Sequence, residues 1–167
     1  KKNSKLLILT SIRRFIMNKQ EIIKNLQQLV DALHAGAFNH EIHGHIFAAQ
    51  GFSKLGEKYQ EHAKEERDFA AKFINRIIDL GGKVEQNAQE AAPVCEEFKD
   101  YLAAEIKAQS EGVAMLAECV KPENFDIASY ELLKEYYLDE EEDLYWMEQQ
   151  CELIERIGYQ NYLVKQM

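Results

Sequence analysis

The sequence predicts an all-α chain, a bundle of four long helices arranged as two antiparallel hairpins joined by one long crossover. Three observations carry that reading. Apolar residues recur at intervals of three and four along nearly the whole chain, and the strict alternation that strands need is absent. Only 2 prolines and 8 glycines interrupt 167 residues, and most of them fall where the helical period lapses.

The period places helix A at 19–49, helix B at 53–80, helix C at 94–120 and helix D at 127–157, with room for a short fifth helix after Gly158. Gly51 and Gly56 bracket the A–B turn, and Gly81-Gly82 ends helix B. Pro93 stands where the first turn of helix C would tolerate it, and Pro122 breaks the chain between C and D. The A–B and C–D links are short, which makes each pair an antiparallel hairpin. The segment from Gly81 to Pro93 can reach roughly 43 Å when extended. A helix the length of B spans about 42 Å. The crossover can therefore run the full length of the bundle.

Composition limits what such a chain can do. With 46% hydrophobic and 29% charged residues it suits one packed domain and excludes disordered, collagen-like and low-complexity chains. The 29 acidic residues outnumber 20 basic ones, and the net charge of -9 repels a phosphate backbone unless basic residues cluster. They do so only in the first sixteen residues, KKNSKLLILTSIRRFI, which hold five bases and no acid. The compositional break divides the chain into a basic extension at 1–17 and a helical domain at 18–167, and favours Met17 as the natural start. The rival reading makes the extension a basic arm for DNA or an acidic lipid surface.

Arg13, Arg14 and Phe15 follow the short apolar run where a secretory leader would have small residues. No stretch of about 18 apolar residues is available to span a membrane. Cys95, Cys119 and Cys151 are odd in number and lack CxxC spacing, which points to a reduced cytosol rather than a disulfide framework. Cys119 and Cys151 read as small buried apolar residues.

The informative positions are charged residues on stripes that should be apolar. Helix B reads Tyr59, Ala63, Glu66, Ala70, Phe73, Ile77; helix C reads Phe98, Leu102, Glu105, Gln109, Gly112, Leu116; helix D reads Leu133, Tyr137, Glu140, Leu144, Met147, Cys151. One glutamate interrupts each stripe. An unpaired buried carboxylate costs several kcal/mol, so three converging ones imply a partner, and a pair of divalent ions shared by oxygen ligands is the natural one. The bland reading lets each glutamate snorkel and makes residues 139–143 an acidic face. Five consecutive residues at about 100° per step nevertheless visit every side of a helix, so one of them points inward.

Helix A holds four of the five histidines. His34, Glu41 and His45 share one face, and either His34 or Glu41 stands level with Glu66, depending on where the A–B turn is centred. Both registers are open. His40 and His62 read as surface or capping residues.

The stretch from Asp139 to Gln166, DEEEDLYWMEQQCELIERIGYQNYLVKQ, resembles the fourth helix and Gly-x-Gln-Asn-Tyr-Leu tail of bacterioferritins, a branch of the ferritin-like superfamily alongside Dps and rubrerythrin. A second likeness runs from Gly51 to Gly82, through Tyr59, Ala63, Glu66, Ala70 and RIIDLGG. The resemblance implies a ferritin-like four-helix bundle, a homo-oligomeric shell of 12 or 24 subunits, and iron taken up at a dinuclear site with ferroxidase-type oxidation of Fe(II).

Carried over residue by residue, the resemblance puts that site on Glu66, Glu105 and Glu140, with Asp143 and a helix A group, His34 or Glu41, as further ligands. Three departures stand out. Phe69 and Asp143 occupy the places of the family's two histidines, and the helix A glutamate falls near Leu33 or His34. Arg67 replaces the haem-ligating methionine, so haem is not expected there. The alternatives are a Dps-like protein that coats DNA through the basic arm, and a ferritin-like scaffold that has lost its metal chemistry.

Overall fold

The computed structural model describes the backbone of residues 2–167 and the side chains of residues 19–167. The basic extension, and the DNA-coating reading that rests on it, lie outside the described side chains. The helices are α1 (Lys2–Ala49), α2 (Ser53–Asp79), α3 (Phe98–Cys119), α4 (Ile127–Ile157) and α5 (Tyr159–Gln166), with one short 3-10 turn at Pro122–Asn124. No strand occurs among the described residues.

Two boundaries differ from those read in the sequence. Helix α1 starts at Lys2 rather than near residue 19, because no glycine or proline precedes Gly36 to stop a run of good helix formers. Helix α3 starts at Phe98 rather than residue 94, and Pro93 lies in the extended crossover instead of a first helical turn. The cause is the strapping of residues 82–96 along α1. Gln27 exchanges two 3.0 Å hydrogen bonds with the backbone of Glu85, Asn87 donates to Asp31 at 2.8 Å, the Cys95 amide donates to His43 Nε2 at 3.0 Å, and Gln50 donates to the Glu96 carbonyl at 2.8 Å. The crossover thus runs parallel to α1 and delivers α3 to the end of the bundle where α1 turns into α2.

The order of contacts sets the topology. Helices α1 and α2 are antiparallel and pack most closely near their turn, where a Cβ on Gly56 would meet the Ala48 side chain at 2.8 Å and the Gly44 carbonyl at 2.9 Å. Only a bare α-carbon permits that approach. Helices α3 and α4 form the second hairpin, and α5 closes the end near Gly51, with the Tyr162 ring stacked on Phe98 at 5.6 Å. Cys151 is half-buried in that packing, whereas Cys119, the last residue of α3, is exposed rather than a core residue.

The core has two apolar clusters. One gathers Leu26, Leu33, Phe69, Phe73, Ile77, Leu133 and Tyr136 towards the crossover's start. The other gathers Phe47, Tyr59, Phe98, Tyr101, Met147 and Tyr162 towards the α5 end. Inward-facing Tyr136 replaces the expected Tyr137, which is half-exposed and donates to Glu141 at 2.8 Å.

The hairpins are pinned together where α2 ends and α4 begins. Asp126 caps α4 by accepting from the Ser129 amide at 3.1 Å and its hydroxyl at 2.7 Å. Arg76 reaches across from α2 to Asp126 and donates to Ser129 Oγ at 2.9 Å. Burial alone would raise the Asp126 pKa, but the Ser129 hydrogen bonds and Arg76 hold it below the usual carboxylate value. Replacing Asp126 with Ala should cost about 1–2 kcal/mol of stability at pH 7. Because the folded pKa is depressed, that difference is present above the ordinary carboxylate range and vanishes as pH falls through the lowered value, which urea unfolding across a pH series measures.

Candidate metal centre

Between the two apolar clusters the four long helices turn polar side chains inward at one level. These are His40 from α1, His62 and Glu66 from α2, Glu105 and Gln109 from α3, and Glu140 and Asp143 from α4. His40 is the hub. Its Nδ1 lies 2.9 Å from Glu66 Oε2 and its Nε2 lies 2.8 Å from Glu105 Oε2, so one ring spans carboxylates from two other helices. Burial alone would lower the His40 pKa, but the hydrogen bonds to Glu105 and Glu66 reverse the sign and push it up to about 10. The ring is therefore an imidazolium donating from both nitrogens.

Glu66 is held on its other oxygen too. Oε1 rests against the α-carbon of Gly36 on α1, where any Cβ would collide with it. Glu140 takes a different partner: Gln109 donates to its Oε2 at 2.7 Å and to its backbone carbonyl at 2.9 Å. Burial pushes the Glu140 pKa up to about 7, against the opposing hydrogen bonds from Gln109 and Tyr136. Among the described residues no cation lies within salt-bridge reach of that carboxyl, unlike those of Glu66 and Glu105.

Asp143, one turn further along α4, faces His62 instead, with Oδ1 2.9 Å from His62 Nε2 and 3.6 Å from Lys58 Nζ. Tyr59, Tyr101 and Trp146 wall the hub towards α5, with the Tyr59 ring 5.7 Å from His40 and 6.0 Å from Trp146.

The structure brings Glu66, Glu105, Glu140 and Asp143 into this belt and leaves both helix A candidates outside it. His34 is exposed beside Phe38 in a groove between α1 and the crossover. Glu41 pairs with Arg67 at the surface, at 2.5 Å. Phe69 is buried against Phe73 and Tyr136, with ring centroids 6.3 and 5.2 Å away. Leu33 is buried in the same cluster.

The two histidines read as surface or capping residues, His40 and His62, lie inside the belt at 8% and 2% exposure, and His43 is buried as well, between the Asn39 carbonyl and the Cys95 amide. Their signal was available. Leu26, Val30, Leu33, Ala37, His40 and Phe47 follow a helical stripe, as do Leu55, Tyr59, His62, Glu66, Phe69 and Phe73. Each histidine interrupts an apolar row just as the glutamates do.

A carboxylate set from three helices offers oxygen ligands that suit divalent ions, once the imidazolium at its centre gives way. The sequence pattern of the ferritin-like domain matches residues 18–157. The chain belongs to the ferritin-like family. Among its relatives, the bacterial ferritin of Pseudomonas aeruginosa is 32% identical over 150 residues, covering 88% of this chain and 97% of the relative. The bacterial ferritin of a Synechocystis strain is 30% identical over 152 residues, covering 89% and 97%. The bacterioferritin of Brucella melitensis is 31% identical over 146 residues, covering 83% and 89%.

In this ferritin-like chain, removing the hub should be costly. With His40 changed to Ala, Glu66 and Glu105 would face one another without a cation, at roughly 2–4 kcal/mol in the metal-free protein at pH 7. A folded pKa raised above the ordinary 6.5 makes the His40 contribution complete below about 6.5 and lost as pH rises through about 10. Urea unfolding of parent and variant in chelator tests this. Equal stabilities at pH 6.5 would refute the imidazolium assignment.

Proposed function

We propose that the protein is a cytosolic iron-storage protein that takes up Fe(II) and oxidises it to Fe(III), with oxygen or peroxide as the electron acceptor, inside a homo-oligomeric shell of 12 or 24 subunits. The observation that carries the reading is the convergence of Glu66, Glu105 and Glu140, from α2, α3 and α4, on the level of the bundle where the apolar core is interrupted. Iron is the cargo. The three carboxylates bind and orient it, Gln109 holds Glu140 in place, and His40 is the internal cation that an arriving metal ion displaces from Glu66 and Glu105.

Three further observations support the reading. The relatives are named bacterial ferritin and bacterioferritin. The net charge of -9 draws cations towards the protein. A groove between α1 and the crossover exposes Phe38 at 61% and Val94 at 52%, apolar surface that a second copy of the chain would cover. No helix among the described residues is long and apolar enough to cross a membrane.

A second reading has its own observation. Phe69 fills the place where the resemblance implies a histidine ligand, and the His40 bridge binds two of the three carboxylates and offsets one of their negative charges without metal. That arrangement suits a scaffold that keeps the bundle and has lost the chemistry.

Stopped-flow absorbance after mixing the purified protein with Fe(II) in air separates the two. The storage reading expects oxidation well above the protein-free rate, abolished by Glu66→Ala together with Glu140→Ala. A parent that oxidises no faster than buffer and stays metal-free after iron loading would establish the scaffold reading instead. Light scattering should give a mass of 12 or 24 times the 19.4 kDa chain. A monomer would refute the shell.

A further inference from the structure

His62 is an anomaly among the polar side chains of the belt. It is 2% exposed, yet among the described residues its Nε2 has no aligned hydrogen-bond partner. The nearest polar atom, Asp143 Oδ1, is 2.9 Å away but out of line with the ring N–H. If Nε2 carries the proton, its contact with Asp143 is bent and weakened; if Nε2 carries the lone pair, it faces a carboxylate oxygen and the two repel. Either form is costly in a buried site. A cation between the two atoms resolves both.

Glu65, one turn along α2 from His62, completes the set. His62, Glu65 and Asp143 each offer a ligand atom, and the three atoms lie within 4.8 Å of one another. Two atoms bound tetrahedrally to one ion at about 2.1 Å stand about 3.4 Å apart, so the His62–Asp143 pair at 2.9 Å has to open only by about half an ångström to hold one. The charges agree as well. Asp139 lies one turn before Asp143 on α4, so negative charge is crowded there. The cation facing it is Lys58, at 3.6 Å from Asp143, a flexible side chain that also lies over the Trp146 ring and can swing aside.

We infer that His62, Glu65 and Asp143 form a mononuclear binding site for a divalent transition ion, separate from the carboxylates that surround His40. One imidazole with two carboxylates and open positions favours Zn(II) or Fe(II) over Mg(II) or Ca(II), which prefer all-oxygen sets. The site uses neither Glu105 nor Glu140, and it stands whether or not the central carboxylates take up iron.

Zn(II) is the probe, because it is not redox-active and has its own absorption edge. Crystals of the full chain soaked in Zn(II) should give an anomalous peak between His62 Nε2, Glu65 and Asp143. The same peak should persist in the Glu66→Ala, Glu140→Ala double variant and vanish in His62→Ala. Should His62→Ala fail to fold, Glu65→Ala, at a half-exposed position, takes its place with the same expected loss. No peak at these residues in the parent, or one that survives loss of the ligand, overturns the inference. A peak found only among Glu66, Glu105 and Glu140 also overturns it, while leaving the iron-storage reading in place.

Discussion

Charge in the middle of a helical bundle has to be answered by charge, and here the answer is the His40 ring. Glu66 and Glu105 come from different helices and point at the same place. Without a cation between them, their repulsion would work directly against the packing of α2 and α3 around α1. The imidazolium binds both through opposite nitrogens at 2.9 and 2.8 Å. Charge-assisted hydrogen bonds of that length are among the stronger polar contacts a protein makes, and their fixed geometry sets register as well as energy. The features around the hub follow from it: Gly36 is bare so that Glu66 can sit beside α1, and Gln109 supplies Glu140 with the neutral partner that a third carboxylate needs.

The belt also explains why the core comes in two pieces. Apolar side chains fill the bundle above and below it, and neither cluster extends through the level of the hub. Such a division gives up some apolar burial in the middle of the bundle. What it provides is a water-poor, negatively charged compartment lined from four helices, which a continuous core could not contain.

The fold was legible in the sequence because its signals are local and repeated. The three-and-four spacing located all four long helices, and helix α4 has the residue bounds the spacing predicts. The start of α3 was misplaced because the competing pull is not local: the side chains of Gln27, Asp31, His43 and Gln50 hold the intervening backbone extended. Glu66, Glu105 and Glu140 could be picked out because a glutamate on an apolar stripe is conspicuous. His40 and His62 sit on stripes of the same kind but were passed over, since a histidine is common on exposed helix faces and its burial depends on carboxylates from distant segments. His34 and Glu41 attracted attention by sharing a face, and it is an outward one. Which face of α1 turns inward is decided by packing against α2, through the Gly44–Gly56 approach, and that is tertiary information.

The strapped crossover has a kinetic side. Helices α1 and α2 are neighbours in sequence, and their hairpin can close through a three-residue turn at little entropic cost. The second hairpin closes through a seven-residue link, also at modest cost. Bringing the two together requires the long connection to be laid along α1 and clasped at several points, each clasp made by a side chain already fixed on a formed helix. Helix α1 therefore acts as a template for the chain that follows it, and the ordering of residues 80–97 is expected to come late in folding, after both hairpins. Glu105 of α3 would then meet His40 only at the final step, so that charge stays in water until its counter-charge is in place.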